Sequence, residues 1–214
     1  MMTIGDGTDH QRPSFRREKA VRAGHIGDDA TARTLCDDPD PRVRAAALGA
    51  LSRLHSLTLS ELIGAMSDTS PLVRARIAEI LALLDTSDRA PDEIGRVLTQ
   101  LVEDPDSTVA ETAAWAAGEQ ANHTPQLLDA LSAAATGHPD PLCREAAIAA
   151  LGAIGDRAGL AAILAGTTAT PAIRRRAVIA LAPFDGPEVD SALTRALTDR
   201  DWQVRQAAED LRGR

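Results

Sequence analysis

The segment DPDPRVRAAALGALSRL, residues 38–54, decides the fold class of this chain. An Asp-Pro pair leads into Val43 and Arg44, and the Ala/Leu-rich run that follows predicts a helix. Near copies follow at residues 67–84, 137–156, 168–186 and 199–211, as SDTSPLVRARIAEILALL, GHPDPLCREAAIAALGAIGD, TATPAIRRRAVIALAPFDG and DRDWQVRQAAEDL. Internal repetition of this kind is typical of proteins that stack one helical unit many times.

The copies carry their apolar residues on one helical stripe. The residue before the repeated arginine is the anchor of each unit, and the anchors are Val43, Val73, Val109, Cys143, Ile173 and Val204. Apolar or small residues stand four positions later (Ala47, Ile77, Ala113, Ala147, Ala177, Ala208) and eight positions later (Leu51, Leu81, Ala117, Leu151, Leu181). Because residues four apart share one face of a helix, we expect these positions to form a buried stripe.

A second helix is predicted before each anchor helix. These amphipathic segments cover residues 28–37, 57–66, 91–103, 125–135, 158–166 and 187–198, and residues 14–24 resemble an anchor helix without a partner. No segment alternates with a period of two, so no strand is predicted. The sequence therefore predicts an all-α solenoid of six helix pairs plus an N-terminal half repeat. We expect a single domain at residues 13–214 and a disordered tail at residues 1–12.

Two charged positions recur beside the anchors and predict a structural ladder. Aspartate stands three residues before the anchor at Asp40, Asp106, Asp140 and Asp201, and arginine follows the anchor at Arg44, Arg74, Arg144, Arg174 and Arg205. We expect the aspartates to cap the helix starts. The arginines are expected to reach connector carboxylates or carbonyls of the adjacent repeat with their planar fork. Both sets are interpreted as structural residues, not as ligand-binding residues.

The repeat also resembles a known family. Residues 138–155, HPDPLCREAAIAALGAIG, match the pattern D-P-[DS]-x-x-V-R-x-x-A-[AI]-x-A-L-G-x-[IL]-G-D almost position for position. This pattern is similar to the short HEAT-like repeats of phycobilisome lyases and many bacterial scaffold proteins. The resemblance implies an architecture and says little about activity. With Lys19 as its one lysine among 23 basic residues, the chain has the composition of a bacterial protein from a GC-rich genome.

Charge and hydropathy disfavour several classes of partner. The formal net charge of −8 opposes non-specific attraction to nucleic acid or to anionic membranes. No apolar run has the length of a signal peptide or of a membrane-spanning helix. We therefore expect a cytoplasmic protein that makes no membrane contact.

The motifs of common enzyme sites are absent from the sequence. The single lysine rules out a phosphate-binding loop, and no nucleophile elbow, zinc-protease motif or paired-cysteine motif occurs. His138 and Cys143 flank one connector, but a metal site needs a third ligand. HEAT-repeat enzymes that resemble deoxyhypusine hydroxylases carry adjacent His-Glu pairs, and this chain has none. We expect no catalysis, cofactor or metal, and we expect Cys36 and Cys143 to be buried, reduced thiols.

The favoured hypothesis of function is a protein-interaction scaffold that binds a protein or peptide on its concave face. In such solenoids the second helix of each pair lines that face. Candidate contacts stand two, three or six residues after an anchor, away from the buried stripe: Trp115, Glu111, Glu145, Arg76, Arg175, Arg176 and Ile179. Trp115 is the strongest candidate because tryptophan and arginine dominate interface energetics. Its alternative role is packing between neighbouring helices.

Nucleic-acid binding on the same face is the alternative function, as in the HEAT-like alkylpurine DNA glycosylases. Phosphate recognition needs several clustered cations. The unit at residues 104–121 interrupts any such track, because Ala110 replaces the ladder arginine and Glu111 follows it. The sequence therefore favours a protein partner, and it leaves the oligomeric state open.

Overall fold

The computed structural model describes residues 12–84, 91–120 and 123–213. Within these ranges the chain forms thirteen α-helices and one 3₁₀ turn, and no strand. It divides into two compact units, Met1–Ile80 and Leu81–Arg214. Of the predicted tail at residues 1–12, residues 1–11 lie outside the described part, and Arg12 immediately precedes the first helix.

The first unit contains the N-terminal half repeat and the next helix pairs. Its helices are α1 (Pro13–Ile26), α2 (Asp29–Leu35), α3 (Pro41–Arg53), α4 (Leu59–Ala65) and α5 (Pro71–Leu83), of which α5 continues past the boundary of the unit. Helices α1 and α3 pack side by side, and α2 contacts both. Ala20, Leu35, Val43 and Ala47 form a buried cluster among these three helices.

The second unit repeats the same pairing four times. Its elements are α6 (Pro91–Val102), α7 (Ser107–Glu119), α8 (Pro125–Gly137), α9 (Pro141–Ile154), a 3₁₀ turn (Arg157–Gly159), α10 (Leu160–Gly166), α11 (Pro171–Ala180), α12 (Pro187–Ala196) and α13 (Trp202–Arg212). The second helices of the pairs form a row in which α7 packs on α9, α9 on α11, and α11 on α13. Each of these also packs on the first helix of its own pair.

The predicted buried stripe is confirmed. All residues at the anchor position and at four and eight positions after it are buried, and none is more than 2% exposed. In α7 the stripe is Val109, Ala113 and Ala117, and in α9 it is Cys143, Ala147 and Leu151. The stripe therefore holds each second helix against its neighbours through larger aliphatic side chains at most positions, and through alanine at five of the six positions four residues after the anchors.

The connector aspartates start the second helices, as predicted. Asp40, Asp106, Asp140 and Asp201 are N-cap residues, and each side chain accepts a hydrogen bond from the backbone N–H two residues later, at 2.8–3.0 Å. Proline at the first helical position of α3 and α9 adds a preset backbone angle and needs no hydrogen-bond partner there. Turn and helix start are thus encoded together in the repeated Asp-Pro sequence.

Gly152 marks a close approach between two second helices. A Cβ atom added at Gly152 would lie 2.7 Å from both the Cα and the Cβ of Ala180 on α11, closer than van der Waals contact allows. The neighbour is helix backbone, so it cannot move aside cheaply. Gly137, at the end of α8, has no atom within 4 Å of the same added Cβ.

We therefore expect Gly152→Ala to lower the free energy of unfolding by about 1–3 kcal/mol, because the added methyl group forces α9 and α11 apart. Gly137→Ala is the matched control, and it should leave stability unchanged or raise it by up to about 1 kcal/mol. Urea denaturation followed by circular dichroism measures both. Equal stability of the two variants would contradict the tight packing of α9 on α11.

Candidate functional site

Arginine–aspartate pairs join successive repeats of the first unit. Arg16 of α1 donates Nε to Oδ2 of Asp38 at 2.6 Å and Nη2 to Oδ1 at 3.0 Å. Arg44 of α3 binds Asp68 with the same two donors, at 2.7 Å each. Such side-on, two-point binding fixes orientation as well as distance. Each pair therefore ties a second helix to the connector of the following repeat.

The second unit contains the same pair at its C-terminal end. Arg174 of α11 donates Nε and Nη2 to Asp199 at 2.8 and 2.7 Å. Its side chain is only 9% exposed, and that of Asp199 is 15% exposed. Water therefore screens this pair weakly, and loss of one partner would leave a buried charge uncompensated.

The carboxylate in these pairs is not the capping aspartate that the sequence singled out. Asp38, Asp68 and Asp199 stand five residues before their anchors, two residues upstream of the capping position. Each also accepts a hydrogen bond from the backbone N–H two residues later, at 2.8 Å. One aspartate thus folds the connector turn and binds the arginine, while the other caps the helix.

The repeated arginines also bind the connector of their own repeat. Arg44, Arg74 and Arg205 donate Nη1 to the backbone oxygens of Asp38, Asp68 and Asp199, at 2.7–2.8 Å. Arg174 donates Nη1 one position later in its connector, to the Ala169 oxygen at 2.9 Å. These carbonyls belong to the arginine's own repeat, whereas the sequence prediction was a contact with carbonyls of the adjacent repeat.

The ion pairs hold their carboxylates in the charged form. The hydrogen bonds from Arg16, Arg44 and Arg174 lower the pKa values of Asp38, Asp68 and Asp199 below the usual range, against the opposing effect of burial. Because the folded pKa lies below the unfolded value, the stabilisation is complete above the unfolded pKa. It is lost as pH falls through the folded pKa.

The ladder changes in the middle of the second unit. Ala110 stands where α7 would carry the arginine, and His138 stands where the following connector would carry the aspartate. In the next repeat Arg144 is present, but Thr168 takes the aspartate position. Within the described ranges, Nε of Arg144 is buried and donates to no acceptor.

The exposed side of α7, α9 and α11, here called the second-helix face, carries six of the seven predicted contact residues. Two positions after the anchors lie Glu111, Glu145 and Arg175, and Arg176 follows on α11. Six positions after the anchors of α7 and α11 lie Trp115, 46% exposed, and Ile179, 41% exposed. The face is therefore acidic on α7 and α9 and basic on α11, with an apolar side chain on each outer helix.

The remaining candidate, Arg76, lies in the first unit. It is half-buried and forms an ion pair with Glu79 one turn along α5. This pairing leaves Arg76 less available to a ligand than the exposed arginines Arg175 and Arg176 of α11.

A groove between α11 and α13 was missed by the sequence interpretation. It has a volume of about 420 Å³ and is lined by Arg175, Ile179, Trp202, Gln206 and Asp210, among others. Trp202 is 64% exposed. Trp202 starts the terminal helix, and its alignment with Ile179 was visible only in the folded chain.

The described residues give no positive sign of a metal site or a reactive thiol. No group of three metal-ligating side chains occurs among them. Cys143 is buried and Cys36 is half-buried, neither forms a disulfide, and burial raises the pKa of both thiols to about 11. The expected burial of Cys36 is therefore only partly met. None of the described helices is both long and apolar enough to cross a membrane.

Known proteins share this architecture. A family model of HEAT repeats matches residues 30–99 and 95–171. YibA of Escherichia coli superposes with a TM-score of 0.65 and 18% identity, over 97% of this chain and 75% of YibA. Human deoxyhypusine hydroxylase in complex with glycerol gives 0.49 and 17%, over 96% of this chain and 81% of that one. No curated protein sequence matches the chain. The HEAT-repeat match and YibA confirm the predicted all-α solenoid, and at this identity YibA shows the fold alone.

The Arg174–Asp199 pair should contribute several times more to the free energy of unfolding than an exposed ion pair does. We expect Asp199→Asn to lower the free energy of unfolding at neutral pH by about 2–4 kcal/mol, because Arg174 stays buried without a counter-charge. Asp185→Asn is the control, since Asp185 is 99% exposed opposite Arg157, and it should cost less than about 1 kcal/mol. Denaturant titrations of the purified variants measure both values.

The same variant should show the pH dependence of the pair. Because the pKa of Asp199 is lowered in the folded protein, its contribution is present above the unfolded value of about 3.9 and vanishes below the folded one. The stabilities of wild type and Asp199→Asn should therefore converge as pH falls below about 4. A constant difference down to pH values at which carboxylates are protonated would contradict an ionic origin.

Proposed function

Because the chain belongs to the HEAT-repeat family, we propose that it is a non-catalytic scaffold that binds a protein or peptide partner on its second-helix face. The observation that carries this proposal is the exposure of Trp115. A tryptophan that is 46% exposed leaves a large apolar surface in water, and tryptophan is among the residues most enriched at the energetic centres of interfaces. The exposed Ile179 on the same face adds a second apolar anchor.

The charges on the face favour a partner of mixed sign. Glu111 and Glu145 present carboxylates on α7 and α9, and the exposed Arg175 and Arg176 present cations on α11. Among the described residues, neither arginine forms an ion pair. A partner segment with acidic side chains near α11 and basic side chains near α7 would complement this pattern.

A protein partner fits these charges better than nucleic acid does. Phosphates would meet Glu111 and Glu145 on the same row of positions as Arg175, and the chain as a whole carries a net charge of −8. The six predicted contact residues of the face are glutamates, arginines, Trp115 and Ile179, and they place no nucleophile beside a general base. The proposal therefore includes no chemical step.

The proposal is tested with three forms of the full-length protein used as affinity baits in native lysate. Trp115→Ala/Arg175→Glu removes one apolar anchor and reverses one charge on the second-helix face. Ile63→Ala/Arg195→Glu makes matching changes at exposed positions on the first helices α4 and α12. We expect a discrete protein that wild type and control retain and that the face variant loses at least about tenfold, as for loss of an interface hot spot.

A parallel nuclease treatment separates the two functional hypotheses. Recovery of the partner should be unchanged by nuclease and should fall only modestly with salt. Material that disappears with nuclease and weakens steeply with salt would favour nucleic acid instead. A partner retained equally by all three baits would show that the second-helix face is not the binding surface. Circular dichroism of each bait establishes that the substitutions leave the helices folded.

A further inference from the structure

Three ladder pairs among the described residues show a fixed mode of carboxylate binding. Arg16, Arg44 and Arg174 each present Nε and Nη2 side-on, and in every case Nε binds Oδ2 and Nη2 binds Oδ1 of an aspartate. The donor–acceptor distances lie between 2.6 and 3.0 Å. The position of the arginine and the type of its partner are therefore the same in each pair. These pairs are the reference for Arg144, which lacks such a partner.

Arg144 is the equivalent arginine of α9, and its expected partner position holds Thr168. The connector around Thr168 has the same turn as the connectors with aspartate. The backbone N–H of Thr168 donates to the Ala165 oxygen, as Asp68 donates to Ala65 and Asp199 to Ala196, at 3.0–3.3 Å. The Thr168 hydroxyl donates to the same Ala165 oxygen at 3.0 Å. This backbone hydrogen bond of the turn is thus preserved, and a hydroxyl stands in place of the carboxylate.

No neighbouring group takes over the role of that carboxylate. In the part of the chain that the structure describes, Nε of Arg144 is buried without an acceptor. The connector before α9 offers His138, whose Nδ1 already accepts the backbone N–H of Asp140 at 3.1 Å. With Nδ1 occupied as an acceptor, the ring can offer only a donor at Nε2, so it cannot replace the carboxylate. Asp140 itself caps α9 through the N–H of Leu142.

A buried, unpaired arginine donor is costly for the folded chain. Leaving such a donor without an acceptor costs more than a typical hydrogen bond contributes, and the cost is larger for a charged group. Arg144 as a whole is only half-buried, so part of its guanidinium remains open to solvent.

We propose that Arg144 binds a carboxylate from outside the chain, held side-on by Nε and Nη2 in the place that aspartate takes in the complete ladder pairs. The ligand class follows from the donors, since the fork of an arginine matches the two oxygens of a carboxylate. The group could belong to an acidic side chain of a polypeptide or to a small free carboxylate. The proposal rests on Arg144 and on the connector that precedes α11. It does not depend on the second-helix face.

The binding test follows the Nε–H signal of Arg144 by nuclear magnetic resonance of the full-length protein. Arg144→Lys identifies the signal by its disappearance. Sodium acetate is then titrated against sodium chloride at constant ionic strength. We expect a saturable shift of this signal with acetate and no shift with chloride. A signal that does not move, or that moves linearly without saturation, would overturn the proposal.

Thr168→Asp provides the internal control, because it would restore the missing pair. We expect this variant to raise Tm by about 2–6 °C, to start with the shifted Arg144 signal, and to lose its response to acetate. Thr168→Asn has nearly the same shape without the charge and should keep the acetate response. An acetate response that persists in Thr168→Asp would overturn the assignment to Arg144.

A pair of blocked peptides distinguishes the two sources of the carboxylate. Acetyl-Ala-Asp-Ala-amide and its Asn analogue are titrated in the same way as acetate. Binding of the Asp peptide at least about tenfold tighter than acetate would support a polypeptide source, and equal affinity would support a free carboxylate. Binding of the Asn peptide as tight as that of the Asp peptide would overturn the carboxylate proposal.

Discussion

The side-on pair between an arginine of one repeat and an aspartate of the next couples the connector turn to the neighbouring repeat, in the first unit and at the C-terminal end of the second. In Arg44–Asp68 the aspartate also accepts a backbone N–H of its own connector, so the residue that folds the turn is the residue that receives the neighbouring helix. Local turn geometry and the spacing between repeats are therefore fixed by one carboxylate. A change in the turn or in the spacing would break both the hydrogen bond within the turn and the ion pair with the neighbouring helix. The junction between the two repeats is therefore rigid.

The small residues of the core depend on that alignment. Five of the six residues that stand four positions after the anchors are alanines, and alanine gains little apolar area, so these positions stabilise the stack only where the helices approach closely. The contact of Gly152 with Ala180 leaves no room for even one methyl group. Both tryptophans are exposed, Trp115 on the second-helix face and Trp202 beside the terminal groove, whereas the ring of Phe184 is buried. The exposed tryptophans create surfaces that a partner can use.

The fold was accessible from the sequence because helix geometry converts spacing into burial. Val109, Ala113 and Ala117 share a face whatever surrounds them, so their pattern alone predicts the stripe. The ladder partner was harder to identify, since the capping aspartate at Asp201 and the pairing aspartate at Asp199 are alike in sequence. Only the hydrogen bonds distinguish their roles. In the sequence, the pairing aspartates could have been recognised by their recurrence five residues before the anchors. The groove at Trp202 could not be predicted from the sequence, because it depends on the relative position of two helices, α11 and α13.

The central repeats of the second unit depart from the rule that stabilises the rest. The helix that lacks the ladder arginine at Ala110 is also the helix that exposes Trp115, and the next helix keeps Arg144 without its aspartate. A chain that is optimised for stability alone would replace an unpaired, half-buried arginine with an apolar residue of similar volume. Sequence rules that a structure breaks without internal compensation are expected at functional positions. Arg144 is such a position, because the group that would compensate it has to come from another molecule.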